Sequence, residues 1–248
     1  TEEPFSIFIS GVDTYGKISS VSRGDVNMVA TVNPNTHQVL LTSIPRDYYV
    51  TLNGIGQKDK LTHAGIYGID TTIKTVEDLL DMEINYYVKV NFTSLIDLVN
   101  ALGGVDVYSD YTFTTTENYS TSKRYRFTKG YNHVNGEEAL AFARERKAFA
   151  AGDNQRVKNQ QALLTAIIKK ACSETIITKY SDILASLEGE FDTNMGSDKI
   201  TNLIKMQIDE MPSWTISSNS LTGRDASRTT YSYGSQKLYV MIPDDSSV

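Results

Sequence analysis

Alternation between β-rich runs and helix-period segments along nearly the whole chain constrains its fold more than any single motif. Phe5–Val12 reads as a strand running into a turn at Asp13-Thr14-Tyr15-Gly16. Residues 25–32 and Gln38–Ile44 are further β-rich runs, joined by the turn Asn33-Pro34-Asn35. Pro45-Arg46-Asp47 ends the third run and leaves Arg46 at a strand terminus. Residues 66–80 carry apolar side chains at Ile69, Ile73, Val76, Leu79 and Leu80, a helical spacing. A strand is predicted at 86–90, a helix at 92–102 closed by Gly103-Gly104, and β structure again at 105–108. The polar, threonine-rich stretch 109–128 reads as a long loop or hairpin. Asn135 is placed as N-cap of a short helix, and Asp153 as cap of the longest helix, running to about residue 178. Helices at 181–187 and 197–211 and strands at 214–221 and 237–242 complete the pattern. Without a repeat or a linker, this order predicts one α/β domain over 1–248, its core about 5–242, with a central sheet covered on both sides.

With 248 residues and 40% hydrophobic content, the chain can bury a substantial core. Its formal net charge of -6 and pI near 5.1 argue against nucleic-acid or anionic-membrane binding through bulk charge. Any anion must be held by a local concentration of positive charge. Cys172 is the one cysteine, so no intrachain disulfide forms; it falls in an apolar helical run and is expected to be buried. The three histidines, His37, His63 and His133, lack zinc spacing. No apolar run approaches the roughly 18 residues that span a bilayer.

Positive charge is concentrated in one place. Arg144-Glu145-Arg146-Lys147 is followed by Asp153-Asn154-Gln155-Arg156 and by Gln160. In a helix starting near Asp153, Arg156 and Gln160 share a face. Arg144 and Arg146 share a side if their segment is extended. Two guanidinium forks from an extended piece and one from a helix start can then meet one multi-oxygen anion, since planar guanidinium binds phosphate oxygens bidentately. The same spacing also describes a solvated Arg/Glu face.

A second concentration involves carboxylates. Asp13 follows the first strand, and Ser22-Arg23-Gly24-Asp25 opens the second. If the strands are neighbours, Asp13 and Asp25 lie at one sheet end, where two carboxylates need a cation, a shared proton or an arginine. Mg²⁺ suits that place if phosphate is bound there. A turn-capping Asp13 and an Asp25–Arg23 or Asp25–Arg46 ion pair account for the residues equally simply. Lys60 and His63 precede a predicted helix, in what reads as an exposed loop, and could face the same anion. Neither GxxxxGK[ST] nor GxGxxG is present.

Taken in order, these pieces resemble the LytR-CpsA-Psr family. The carrying motifs are Gly11-Val-Asp13-Thr-Tyr, Ser22-Arg23-Gly-Asp25, Ser43-Ile-Pro45-Arg46-Asp47 and Asp59-Lys60-Leu-Thr-His-Ala-Gly65. Asn91-Phe-Thr-Ser-Leu-Ile-Asp-Leu-Val99, Leu102-Gly-Gly-Val-Asp-Val107 and residues 135–146 with Asp153-Asn-Gln-Arg156 and Gln160 continue the series. Single pieces such as Pro-Arg-Asp are weak, whereas the ordered set is specific, and its flavour is similar to streptococcal capsule-locus members.

The resemblance implies a three-layer α/β/α sandwich with a central mixed sheet and an apolar lipid-binding cavity. It implies a catalytic ectodomain on the extracellular face of a Gram-positive cell membrane, held by an N-terminal anchor outside these residues. The implied activity is Mg²⁺-dependent phosphotransfer of a glycopolymer, with capsular polysaccharide favoured, from a polyprenyl-pyrophosphate carrier to peptidoglycan. Carried over by position, Asp13 and Asp25 hold the Mg²⁺, and Arg23, Arg46, Arg144, Arg146 and Arg156 bind pyrophosphate. Asp153 and Gln160 complete the polar pocket, and Arg23 and Arg146 join the two aspartates as the catalytic set. Apolar helix faces, among them Ile69, Ile73, Leu95, Leu98, Val99, Leu163 and Ile167, are candidates for the lipid cavity, though each also suits a packed core. A polyprenyl-pyrophosphate hydrolase and a non-catalytic lipid-phosphate-binding regulator are the competing readings. The acidic chain lacks the basic face a DNA-binding regulator needs.

Overall fold

The computed structural model describes residues 3–19, 21–116 and 123–248. The chain enters through β1 (Phe5–Val12), β2 (Val26–Asn33) and β3 (Gln38–Ile44), then a ribbon of β4 (Tyr49–Thr51) and β5 (Lys58–Lys60). Helices α1 (Leu61–Ala64) and α2 (Ile69–Leu80) lead into β6 (Tyr86–Asn91). Next come α3 (Phe92–Ala101), β7 (Val105–Ser109), the hairpin of β8 (Phe113–Thr114) and β9 (Arg126–Phe127), and β10 (Gly130–Val134). Helices α4 (Gly136–Arg144), α5 (Asp153–Ala171), α6 (Glu174–Ile177) and α7 (Tyr180–Ser186) follow. The chain closes with β11 (Asp192–Thr193), α8 (Ser197–Glu210), β12 (Thr215–Ser220), β13 (Gly223–Thr229) and β14 (Lys237–Pro243). No described helix is long and apolar enough to cross a membrane.

Two compact units are formed. The first comprises Thr1–Asn91, Phe191–Met195 and Trp214–Val248. Its sheet has the order β11-β6-β1-β2-β3-β12 and is mixed, as expected: β1, β2 and β3 run antiparallel, while β6 and β12 join β1 and β3 in parallel. The β2–β3 turn is tight because the Asn33 side chain accepts hydrogen bonds from the backbone N–H groups of Asn35 and Thr36. A parallel partner for β1 requires a crossover, and α1 with α2 supplies it. Leu61 and Ala64 of α1 and Val76 of α2 pack with Phe8, Val29 and Ile44 of the sheet.

The helix predicted over 66–80 starts later. Residues 65–67 form a 3₁₀ turn, and Gly68, at φ 102°, separates it from α2. A side chain is rarely tolerated at that φ, so the helical pattern is interrupted where glycine permits it.

The second unit comprises Phe92–Glu190 and Gly196–Ser213. Its core joins Val99 of α3, Val105 and Val107 of β7, Phe142 of α4, and Leu163 and Ile167 of α5. Val99, Leu163 and Ile167, candidates for a lipid cavity, are thus buried core residues. Asn135 caps α4 as predicted, in a reciprocal box: its side chain accepts from the Glu138 N–H, and Glu138 accepts from the Asn135 N–H.

Helix α5 is shorter than predicted. It ends at Ala171, with Cys172 at the C-cap and half-buried rather than buried. Ser173 is extended and its hydroxyl donates back to the Lys170 carbonyl, which closes α5 before α6 begins. Burial raises the Cys172 thiol pKa, so the residue is a poor nucleophile. Within the stretch read as a loop or hairpin, β8 and β9 form the hairpin, and residues 117–122 lie outside the described residues.

Candidate active site

Antiparallel pairing of β1 and β2 sets Gly11 opposite Val26, which brings Asp13 and Asp25 to the same end of the sheet. The Asp25 N–H donates to the Gly11 carbonyl at 2.9 Å, and the Asp13 N–H donates to Asp25 Oδ2 at 3.1 Å. Arg46, just beyond β3, places a guanidinium nitrogen 2.9 Å from Asp25 Oδ1. Of the two ion pairs anticipated for Asp25, the one with Arg46 is formed. Both Asp25 oxygens are therefore engaged while the Asp13 side chain remains exposed.

A Mg²⁺ ion fits this donor set: it takes one or two carboxylates and fills the rest of its octahedron with water and phosphate oxygens. Among the described residues no group of three or more His, Cys, Asp or Glu gathers to hold a metal alone. A cation held by Asp13 and Asp25 would consequently depend on a phosphate ligand.

Arg23 does not pair with Asp25. Its guanidinium lies over the Tyr233 ring, 5.5 Å from the centroid. The backbone around it is fastened to α1 and the glycine after it: Ser22 N–H donates to the Gly65 carbonyl and Gly24 N–H to the Thr62 carbonyl, each at 3.3 Å. A Cβ at Gly65 would sit 2.0 Å from the Ser22 carbonyl oxygen, so only glycine allows this approach. The loop from Asp13 to Asp25 is also held from β6, where Lys89 Nζ donates to the Ser19 carbonyl and Asn91 Nδ2 to the Gly16 carbonyl, both at 2.8 Å. Lys89 is buried, and desolvation lowers its pKa against an opposing effect from Asp192.

The segment of Lys60 and His63 is not an exposed loop. Lys60 Nζ is 3.1 Å from Asp47 Oδ1. His63 is buried and its Nδ1 is 2.7 Å from Oδ1 of the fully buried Asp59.

In the second unit, Arg144 is the last residue of α4, so Arg144 and Arg146 do not share one extended segment. The helix opens at Glu145, and the Arg144 guanidinium stacks over Phe92 at 4.3 Å. Glu145 is buried and accepts from the backbone and hydroxyl of Thr116 and from the Ala148 N–H. That carboxylate fixes the turn and leaves Arg146 exposed. Asp153 is not the cap of α5, since Gly152 occupies that position. Instead Asp153 Oδ1 lies 2.8 Å from Arg156 and 3.7 Å from Arg146. Gln160 Nε2 donates to the Ala143 carbonyl at 3.3 Å. Arg146 and Arg156 thus gather around a carboxylate at the start of α5, an arrangement suited to oxyanions.

A sequence model of the LytR_cpsA_psr family matches residues 1–243. The chain belongs to this family. A polyisoprenyl-teichoic acid–peptidoglycan teichoic acid transferase, TagU of Bacillus cereus strain AH820, is 39% identical over 204 residues, covering 82% of this chain and 64% of the relative. The chain therefore spans 64% of the length of that curated relative. The crystal structure of B. subtilis TagV superposes with a TM-score of 0.81 at 33% identity, covering all of this chain and 93% of TagV. A structure of TagT bound to LI-WTA gives a TM-score of 0.74 at 30% identity, covering 99% of this chain and 87% of TagT.

The motif run 59–65 contains Asp59 without a role and offers His63 to the anion, whereas His63 is buried against Asp59; Lys89, Glu145 and Tyr233 carry no role in the sequence reading. The readable signals are a lysine inside the strand Tyr-Tyr-Val-Lys-Val-Asn and an acid between two arginines. Tyr233 lies too far along the chain from Arg23 for spacing to connect them.

Proposed function

We propose that this chain is a phosphotransferase moving a glycopolymer from a polyprenyl-pyrophosphate carrier to peptidoglycan. The observation that carries this reading is the sharing of the Asp25 carboxylate between the Asp13 backbone and Arg46 at one sheet end. The names of the relatives, teichoic acid transferases acting on peptidoglycan, support it. Capsular polysaccharide is the polymer favoured by the motif set and teichoic acid the one in the relatives' names, so both belong in the assay. The same reading makes the chain one catalytic ectodomain on the outer face of a Gram-positive membrane, tethered by an N-terminal anchor, with the polyprenyl tail in an apolar cavity.

In the reaction, an acceptor hydroxyl, assigned to the C6 position of N-acetylmuramic acid, attacks the sugar-linked phosphorus. A new P–O bond forms, the bond to the bridging oxygen breaks, and lipid phosphate leaves. Such transfer needs positioning and charge stabilisation more than covalent help from the protein, so a Ser/His/Asp triad is not required. Arg23 and Arg46, and Arg144, Arg146 and Arg156, hold phosphate oxygens and offset charge on the leaving group. Arg46 also keeps Asp25 oriented. Asp13 and Asp25 would hold a Mg²⁺ ion, which would supply Lewis-acid neutralisation of the phosphates. Gln160 and Asp153 complete the polar surroundings.

The test incubates purified protein with lipid-pyrophosphate-linked oligosaccharide and peptidoglycan fragments, in Mg²⁺ or EDTA, beside Arg146→Ala. Sugar phosphate on the glycan, dependent on metal and lost in the variant, is the expected result. Phosphate release without acceptor would make the protein a hydrolase, and lipid bound but never cleaved would make it a binder.

A further inference from the structure

We propose, on the reading that Arg23 holds a substrate phosphate, that Asp59, His63, Ser232 and Tyr233 form a positioning unit that fixes the Arg23 guanidinium. Asp59 is a carboxylate with no solvent exposure, an arrangement that is costly unless its oxygens are fully engaged. They are engaged, and to two separate segments. Oδ1 faces His63 Nδ1 and the Lys60 N–H, both at 2.7 Å. Oδ2 accepts from the Ser232 N–H at 3.0 Å and from the Ser232 hydroxyl. One buried charge therefore ties α1 to the turn Tyr231–Tyr233, 173 residues later in the chain.

That tie sets an aromatic surface. With α1 and the turn joined, the His63 ring lies against the Tyr233 ring at a centroid distance of 4.9 Å and a 40° tilt. The Arg23 guanidinium lies over Tyr233. Arg23 is thus held twice, through its backbone by α1 and the glycine after it, and through its side chain by Tyr233. Its flanking backbone is bonded to the Gly65 and Thr62 carbonyls, and its side chain rests on the Tyr233 ring, which His63 contacts. A second clasp secures the turn: the Tyr67 hydroxyl is 2.7 Å from the Ser232 hydroxyl, and the Tyr67 and Tyr231 rings are 5.7 Å apart. A long, flexible arginine held over a fixed ring face loses less freedom when it meets its anion, which is the physical gain from such support. The four residues act through Arg23 and are not assigned contact with substrate.

Two measurements separate this proposal from the transferase reading. The first follows the Arg23 Nε–H resonance by ¹⁵N NMR in ligand-free protein, for the natural chain and for Tyr233→Phe, Tyr233→Leu and Asp59→Asn. Tyr233→Phe keeps the ring and is expected to leave the resonance in place. Tyr233→Leu moves it toward the position of a free arginine, and Asp59→Asn broadens or moves it. The second is steady-state transfer, where Tyr233→Leu lowers kcat about 10-fold while changing KM for the lipid donor much less, and Tyr233→Phe restores the rate. Tyr233 is 37% exposed, so its variants are expected to fold, and a thermal unfolding midpoint near that of the natural chain checks this. An Arg23 resonance indifferent to Tyr233→Leu overturns the positioning unit, as does a Tyr233→Phe variant as slow as Tyr233→Leu. A ring-dependent Arg23 resonance in a protein that never transfers glycan upholds the unit and overturns the transferase.

Discussion

Asp25 is held from two sides, by the Arg46 guanidinium at 2.9 Å from one carboxylate oxygen and by the Asp13 N–H at 3.1 Å from the other. The pair is partly buried, with side-chain exposures of 34% for Arg46 and 17% for Asp25, so solvent screens it less than a surface pair. Removing Arg46 takes away a charge assigned to the phosphates and leaves Asp25 without its orienting partner. Arg46→Ala is expected to slow transfer about 100-fold, or about 3 kcal/mol of transition-state stabilisation. Arg46→Lys keeps the charge but loses the planar fork and falls between the two. Initial rates over a Mg²⁺ titration check both, and an Arg46→Ala rate within threefold of the natural chain would remove Arg46 from the site.

Gly65 is where the Arg23 loop meets α1. An added methyl group at 2.0 Å from the Ser22 carbonyl oxygen cannot be absorbed by a flexible side chain, because its neighbour is backbone. Gly65→Ala should destabilise the fold by about 1–3 kcal/mol, the ordinary cost of overpacking. It should also displace Arg23 and slow transfer beyond what the stability loss explains. Urea unfolding and rates measured well below the transition separate the two effects.

The Asp59 carboxyl titrates below its ordinary value of 3.8. Burial is the largest single influence and pushes it up, but hydrogen bonds from His63, Ser232 and the Lys60 backbone together outweigh it. A depressed carboxyl pKa gives stability that is present above the unfolded value and is lost as pH falls through the folded one. Asp59→Asn is expected to cost about 2 kcal/mol near neutrality, in the range for charge-assisted hydrogen bonds. The gap between natural and variant chains should stay level above about pH 5 and shrink below pH 4. Urea midpoints from pH 3 to 7 read this directly; a gap that widens on acidification would contradict the assignment.

Lys89 places an ammonium group inside the sheet, with its proton donated to the Ser19 carbonyl. Desolvation lowers its pKa from 10.5, so the charged form is penalised in the folded chain, and stability rises as pH climbs from the folded value toward 10.5. Lys89→Met removes the penalty and is expected to hold or raise the melting temperature at pH 7. It also releases the loop that carries Asp13 and Arg23, so transfer should fall about 10-fold. A variant that is both less stable and fully active would show that Lys89 serves packing alone.

How much of this was legible in the sequence follows from how local each signal is. Strands β1 and β3 were read to their ends because apolar runs bounded by turn residues encode them locally. Asn135 was placed as a cap because its box closes within three residues. The proximity of Asp13 and Asp25 needed only one further step, the pairing of adjacent strands. Asp153 was misread because an acidic residue at a helix start normally caps it, whereas here two arginines compete for its carboxylate. Arg144 was misread because spacing of two suggests a strand and says nothing about a helix ending between the two arginines. The Asp59–Ser232 and Arg23–Tyr233 contacts join distant parts of the chain, and no periodicity reports them.

Arg146 and Arg156 share Asp153 but differ in burial, and that difference predicts different outcomes. The Arg146 side chain is 57% exposed and 3.7 Å from Asp153, a loose surface pair contributing at most about 1 kcal/mol. Arg156 is 12% exposed and 2.8 Å from the same oxygen, anchored on the first turn of α5. Arg146→Ala should therefore unfold within about 0.5 kcal/mol of the natural chain. Its transfer rate should still fall about 100-fold, because an exposed and loosely paired guanidinium can reach an incoming phosphate. Arg156→Ala should lose both stability, by about 1–3 kcal/mol, and activity. Asp153→Asn removes the competing carboxylate charge, so binding of inorganic pyrophosphate should tighten while transfer slows, since the two arginines lose their common reference point. Calorimetric titration with pyrophosphate beside rate measurements reads both effects. Equal losses of stability in Arg146→Ala and Arg156→Ala would show that the two arginines serve the fold alike, and unchanged pyrophosphate affinity in Asp153→Asn would show that Asp153 does not compete for them.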